Sequence, residues 1–259
     1  MPRIRERPIF IYHQIGDYPP EKMEYGVKPA GFRSHLDSLE ELSLEAVPLG
    51  RMVAQMKGES PPNPRAVSFT FDGGFRDSAE NVLPILAEKK IPGAFFVPTE
   101  FVGKEHSLYG GPFPCMDWNQ LRDLAGAGMT IGSLGRFGTR IPDLSEAERR
   151  EDARIARETL EDRLGIPIRY HAYRETFPDR RLRSWFIEEG FEAVFTMCPT
   201  FRRPDLYRIA RVQVDDEAPN VFQTKASNLY LFFKDRRAWP LIRKFGVDRM
   251  MHRIYSLFE

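Results

Sequence analysis

The sequence predicts an α/β domain built on a mostly parallel sheet, either open or closed into a barrel. Three observations predict it. Short apolar runs alternate with amphipathic helical segments along most of the chain. The 259 residues, 42% of them hydrophobic, suffice to bury one large core. No internal repeat or low-complexity linker divides the chain, so one domain is the economical reading.

The elements follow in order. Pro8–Tyr12 is a short apolar run and reads as the first strand. Gly31–Leu42 places Phe32, Leu36, Leu39 and Leu42 at helical spacing. Pro61–Pro64 is a loop, and Ala66–Phe71 is a second strand rich in β formers that ends in Asp-Gly-Gly. Ser78–Lys89 reads as a helix and Gly93–Val97 as a third strand. Asn119–Ala127 is a helix with Gly128 at its stop, followed by a short strand over Met129–Ser133. Ser145–Leu164 is a long charged helix. Its Ser145-x-x-Glu148 start fits a capping box and Gly165 ends it. Strand Ile168–Tyr173, helix Arg180–Glu189 and strand Glu192–Thr196 complete the alternation.

Composition excludes several functions. Thirty-eight basic residues face 37 acidic ones, so no general attraction for nucleic acid is expected. The two cysteines, Cys115 and Cys198, form no C-x-x-C pair, and each reads as a small buried hydrophobe. The N-terminal apolar run of about four residues falls short of a signal core of roughly 7–15. No run reaches the roughly 18 apolar residues of a membrane helix. A cytoplasmic protein is expected, with peripheral membrane contact as a variant of that reading.

Asp72 follows an apolar strand and precedes two glycines. In parallel α/β folds the C-terminal strand ends form the ligand-binding face, so a carboxylate there is a candidate site residue. The bland alternative is an Asp that caps the next turn.

The stretch Val67–Gly103, V-S-F-T-F-D-G-G-F through P-I-L and A-F-F-V, resembles the first motif region of the polysaccharide deacetylases, carbohydrate esterase family 4. Pro8–Asp17 resembles that family's opening strand, and Trp118–Ser133 resembles the helix and strand that lead to its second motif. The resemblance spans roughly residues 8–215. It implies a distorted (β/α) barrel, here with a helical C-terminal extension, and a chemistry of metal-assisted hydrolysis of acetyl groups. Zinc or another divalent ion, held by one Asp and two His, would polarise the acetyl carbonyl and activate water.

Carried over position by position, the resemblance makes Asp72 the general base, here vestigial. The metal-binding Asp matches Gly73, and the two histidines match Leu134 and Gly138. None of these three has a side-chain donor, so no metal cofactor is expected. The third motif reads His171-Ala172-Tyr173-Arg174-Glu175-Thr176, with Ala172 where an arginine often partners the base. Asp72 would then lack a counter-charge. Arg136 and Arg174, both at motif positions, are the expected partners. His13, Trp118, Arg136, Tyr173, Arg174 and Glu175 form the expected ligand-binding set at the mouth. A replacement metal set of His13, His171 and Asp72 is a minor alternative.

Residues 1–224 are expected to form the barrel and 225–259 a basic, aromatic-rich helical extension packed on it. Eight Lys/Arg face three acids in that extension, with seven interleaved aromatics. It reads as a packed cap or as a docking segment for a membrane surface or protein partner. The function expected is a deacetylase-like protein without metal-dependent activity, binding a carbohydrate or a partner in polysaccharide metabolism. The alternatives are an active hydrolase with a non-standard site, and a structural subunit docked through its C-terminus.

Overall fold

The computed structural model describes residues 8–19, 25–107, 111–138, 145–173, 182–197 and 205–227. In chain order these form β1 (Ile9–Tyr12), α1 (Pro29–Glu41), β2 (Glu45–Ala46), α2 (Leu49–Lys57), β3 (Ala66–Asp72), α3 (Leu83–Lys89) and β4 (Gly93–Val97). A small hairpin of β5 (Glu105–His106) and β6 (Phe113–Pro114) precedes α4 (Trp118–Gly126) and β7 (Thr130–Ser133). Then come α5 (Glu146–Leu164), β8 (Tyr170–Ala172), α6 (Leu182–Glu188), β9 (Ala193–Thr196), β10 (Ile209–Ala210), β11 (Val212–Gln213) and α7 (Pro219–Ala226).

The main sheet is parallel, in the order β10-β9-β8-β7-β4-β3-β1-β11. Its two ends are consecutive in the chain. Ile209 and Ala210 pair with β9, Val212 and Gln213 lie beside β1, and Arg211 alone separates them. One short segment therefore bridges the first and last strands and brings the sheet nearly to a closed barrel, as the resemblance implies. Barrel closure leaves no long unpaired edge.

Alternation along each strand divides the core into two layers. Ile9, Ala66, Ala94, Phe96, Leu134, Tyr170, Ala172, Ala193, Phe195 and Ile209 pack together inside the barrel. Phe10, Tyr12, Phe69, Phe71, Phe95, Ile131, Val194 and Val212 pack on the other face, under the helices. Strands buried on both faces read as continuous apolar runs, which is why they were visible in the sequence.

Local chemistry explains most boundaries. The capping box at Ser145 forms as expected, with Glu148 Oε2 accepting from the Ser145 N–H at 2.8 Å, and Gly165 closes α5 in the left-handed region. A second box, Asp117 with Gln120, starts α4 one residue earlier than expected. The expected single helix over Ser78–Lys89 begins as a π-helical stretch, Ser78–Val82, before α3. Pro84 supplies no N–H for a continuous α-helical ladder there. The expected strand over Ile168–Tyr173 is shorter, because the Ile168 N–H turns to Glu161 Oε1 at 2.9 Å. Elements β2, α2, β5, β6, β10, β11 and α7 were not anticipated. Helix α7 runs across the expected boundary at 224/225, and residues 228–259 lie outside the described residues.

Candidate functional site

The C-terminal ends of β1, β3, β4 and β7 converge at one end of the barrel. Strand β3 alternates so that Thr70 and Asp72 share the inner face with Ala66. Asp72 is only 2% exposed. A carboxylate this deep needs a charged partner or a proton.

The partner is Arg211. Its Nη1 donates to Asp72 Oδ1 at 2.6 Å and its Nη2 to Oδ2 at 2.7 Å. Nη1 also donates to Thr70 Oγ1 at 3.3 Å, and Thr70 Oγ1 in turn donates to the Phe10 carbonyl at 2.7 Å. The guanidinium carbon lies 5.3 Å from the centroid of the Phe96 ring. This is a two-pronged pair in a buried pocket beside the Phe96 ring, the geometry in which arginine is preferred over lysine. Burial pushes the Asp72 carboxyl up from its ordinary value, and Arg211 works against that shift. The two short N–H···O contacts match the ionised carboxylate.

Arg136, one of the two expected partners of Asp72, is therefore corrected. Arg136 turns instead to Glu100, with Nη2 2.8 Å and Nε 3.2 Å from Oε1. Its loop is held elsewhere: the Arg136 N–H donates to Asp152 Oδ1 of α5 at 3.0 Å, and the Glu100 N–H donates to the Arg136 carbonyl. That geometry points the guanidinium along the rim, where it also lies 4.9 Å from the Phe137 ring. Arg174 and Glu175 lie outside the described residues.

Other members of the expected set separate. His13 follows β1, fully buried, with its ring 5.6 Å from that of Tyr25. Tyr173 does not face the mouth: it packs edge-on to Phe186 of α6 at 5.3 Å, in the outer layer. His171 shares its parity. It sits among Tyr173, Phe186 and Phe191, with Nδ1 3.3 Å from Ser133 Oγ. Burial, with a smaller contribution from Arg211, lowers its pKa to about 3. The His13/His171/Asp72 metal set is thus not assembled, since Ala172 takes the inward position of β8. Trp118 is half-buried at the first turn of α4, against the outer layer, with Arg163 of α5 5.6 Å from its ring. Its surroundings are a helix–helix contact.

The three positions matched to metal ligands are all buried at this end of the barrel. Gly73 directly follows β3, Leu134 packs in the inner layer, and Gly138 closes the rim loop. Among the described residues no group of three or more His, Cys, Asp or Glu side chains comes together. The residues present do not fit the divalent ion that the resemblance implies, because the donors it needs are missing.

Five residues beyond Asp72 stands a second buried acid. Asp77 Oδ2 accepts from the Ile15 N–H at 2.9 Å and from the Tyr18 hydroxyl at 3.0 Å, tying the loop after β1 to the loop after β3. Its Oδ1 meets no hydrogen-bond donor among the described residues. Burial raises its pKa to about 7. The neighbouring Cys115 thiol is pushed up to about 12, mainly by burial and then by Asp77.

Arg211 was missed in the sequence. Its signal was there: Ile209-Ala210-Arg211-Val212-Gln213-Val214 alternates like a strand and places a lone cation in an apolar run. An arginine at such a position calls for a carboxylate across the core.

Comparison with known proteins agrees with this architecture. A family model described as polysaccharide deacetylase matches residues 59–194. Among solved structures, the chain is similar to IcaB from Ammonifex degensii at 24% identity and a TM-score of 0.73, covering 85% of this chain and 96% of that one. It is similar to the deacetylase PplD of Streptococcus pyogenes, solved with acetate, at 15% identity and 0.73, covering 85% and 98%. A de-N-acetylase from Aggregatibacter actinomycetemcomitans follows at 16% identity and 0.69, covering 85% and 99%. At these identities the structural likeness speaks for the fold. No curated protein matches the sequence significantly. No helix among the described residues is long and apolar enough to cross a membrane.

Proposed function

The chain belongs to the polysaccharide deacetylase family, and from that premise we propose that it is a carbohydrate-binding member without metal-dependent deacetylase activity. The observation that carries this reading is the donor set at the positions matched to the metal ligands. A general base must offer a lone pair to water or substrate within hydrogen-bond reach. Asp72 keeps an arginine partner, as that base often does, but the pair is buried, which limits what can reach its free lone pairs. The positions for metal ligands hold glycine, leucine and glycine, so nothing there would hold a Lewis acid for an acetyl carbonyl.

Carbohydrate contact then falls to the rim. Phe137 is 45% exposed, beside the Arg136–Glu100 pair. An aromatic face flanked by paired charges suits the C–H face and hydroxyls of a sugar ring. Family membership supports a polysaccharide or oligosaccharide of acetylated amino sugars as the ligand class.

Elemental analysis of the purified protein, run beside an acetate-release assay on acetylated chito-oligosaccharides, tests the catalytic half. No stoichiometric zinc or cobalt and no acetate above blank are expected; stoichiometric metal with turnover overturns the reading. Calorimetric titration with the same oligosaccharides tests the binding half. Saturable heat that Phe137→Ala weakens is expected, and a flat titration removes carbohydrate as the ligand.

A further inference from the structure

Missing donors alone would leave room for a metal to return with them. The space at this site is taken. Gly73 has φ +107°, a backbone conformation that side-chain-bearing residues rarely adopt. A Cβ built there would lie 2.8 Å from Cδ2 and Cζ of Phe75 and closer still to Cε2. Phe75 cannot simply swing aside. Its ring meets Phe113 edge-on at 5.7 Å, its backbone bridges to Cys115, and all three residues are buried together. Leu134 is packed in the inner layer with Phe96, Ala172 and Phe195.

We propose that the mouth has been rebuilt around Phe75, not merely stripped of its ligands. Phe75 occupies the volume that any side chain at position 73 needs. The proposal rests on the reading of the site given above and asks more of it: returning the three donors does not return a divalent-metal site.

The test is a cobalt(II) titration followed by visible absorption, with circular dichroism to check the fold. The unmutated chain and the triple variant Gly73→Asp, Leu134→His, Gly138→His are both expected to show no stoichiometric uptake. Adding Phe75→Ala to the triple variant is expected to tighten cobalt binding at least tenfold. Stoichiometric uptake by the triple variant itself overturns this proposal and leaves the absence of metal in the unmutated chain standing. No gain in a folded Phe75→Ala arm overturns the role given to Phe75. Uptake by the unmutated chain overturns the proposed function instead.

Discussion

Two buried carboxylates lie five residues apart after the same strand, and they are solved in opposite ways. Asp72 meets a guanidinium with both oxygens. Asp77 meets only neutral donors, a backbone N–H and a tyrosine hydroxyl, through one oxygen. Burial is nearly complete at both. The difference lies in the partner. A full cation can hold a buried carboxylate ionised, whereas two dipoles leave Asp77 with a pKa of about 7. Depth alone therefore does not say which acid is reactive. At the position the family uses for its base, this chain keeps a paired acid, and it places its titratable acid one turn away.

The largest effect expected is from breaking the charged partner. Arg211→Met leaves Asp72 buried and unpaired and should cost about 3–5 kcal/mol in denaturant unfolding. The double variant Asp72→Asn, Arg211→Met should recover most of that loss; no recovery would mean that Arg211 acts through packing and not through Asp72.

A buried base gives the next test, with the opposite sign. The folded pKa of His171 is about 3, below its ordinary 6.5. Its contribution is complete above pH 6.5 and is lost as pH falls toward 3, because the unfolded chain binds the proton first. His171→Phe should remove up to about 2–4 kcal/mol of this acid dependence, since each tenfold change in proton affinity is worth about 1.4 kcal/mol. Urea midpoints measured in steps from neutral pH down to the folded pKa check it.

Asp77 runs the other way. Its folded pKa is raised from 3.8 to about 7, so folding favours the protonated form. Its contribution is present below its ordinary pKa of 3.8 and is lost as pH rises through about 7. Asp77→Asn keeps the acceptor for Ile15 and Tyr18 and should abolish that loss, making the variant more stable than the parent at about pH 8 by about 1–3 kcal/mol. Urea midpoints of the two proteins on either side of neutrality check it. Tyr18, Glu80 and Cys115 also bear on this group, so the unchanged part of the profile reports on them. The smallest effect is at the rim. Glu100→Gln breaks a partly exposed pair and should change the unfolding free energy by under about 1 kcal/mol.

What was legible in the sequence follows the same physics. Strands β1, β3 and β4 and the capped helix α5 could be read because their signals are local: apolar runs, a capping box and a closing glycine. The place of Asp72 at the C-terminal end of β3 was legible for the same reason. Its partner was not. Arg211 comes from a closing segment of two-residue strands whose alternation names no partner, and its contact crosses 139 residues of chain. The facing of His171 and Tyr173 was also hidden. Alternation puts them together and opposite Ala172, but on a strand buried on both sides it does not say which set looks into the barrel.

The closing segment has a consequence in time. Val212 and Gln213 lie against β1, about two hundred residues earlier in the chain, and loop-closure entropy delays such contacts until the intervening strands are placed. The Asp72–Arg211 bond is then expected to form in the last stage of assembly, after the rate-limiting barrier. Removing it should leave the refolding rate nearly unchanged and speed unfolding by most of the lost stability. The Asp72–Arg211 pair would thus also act as a latch, setting how long the nearly closed barrel stays closed.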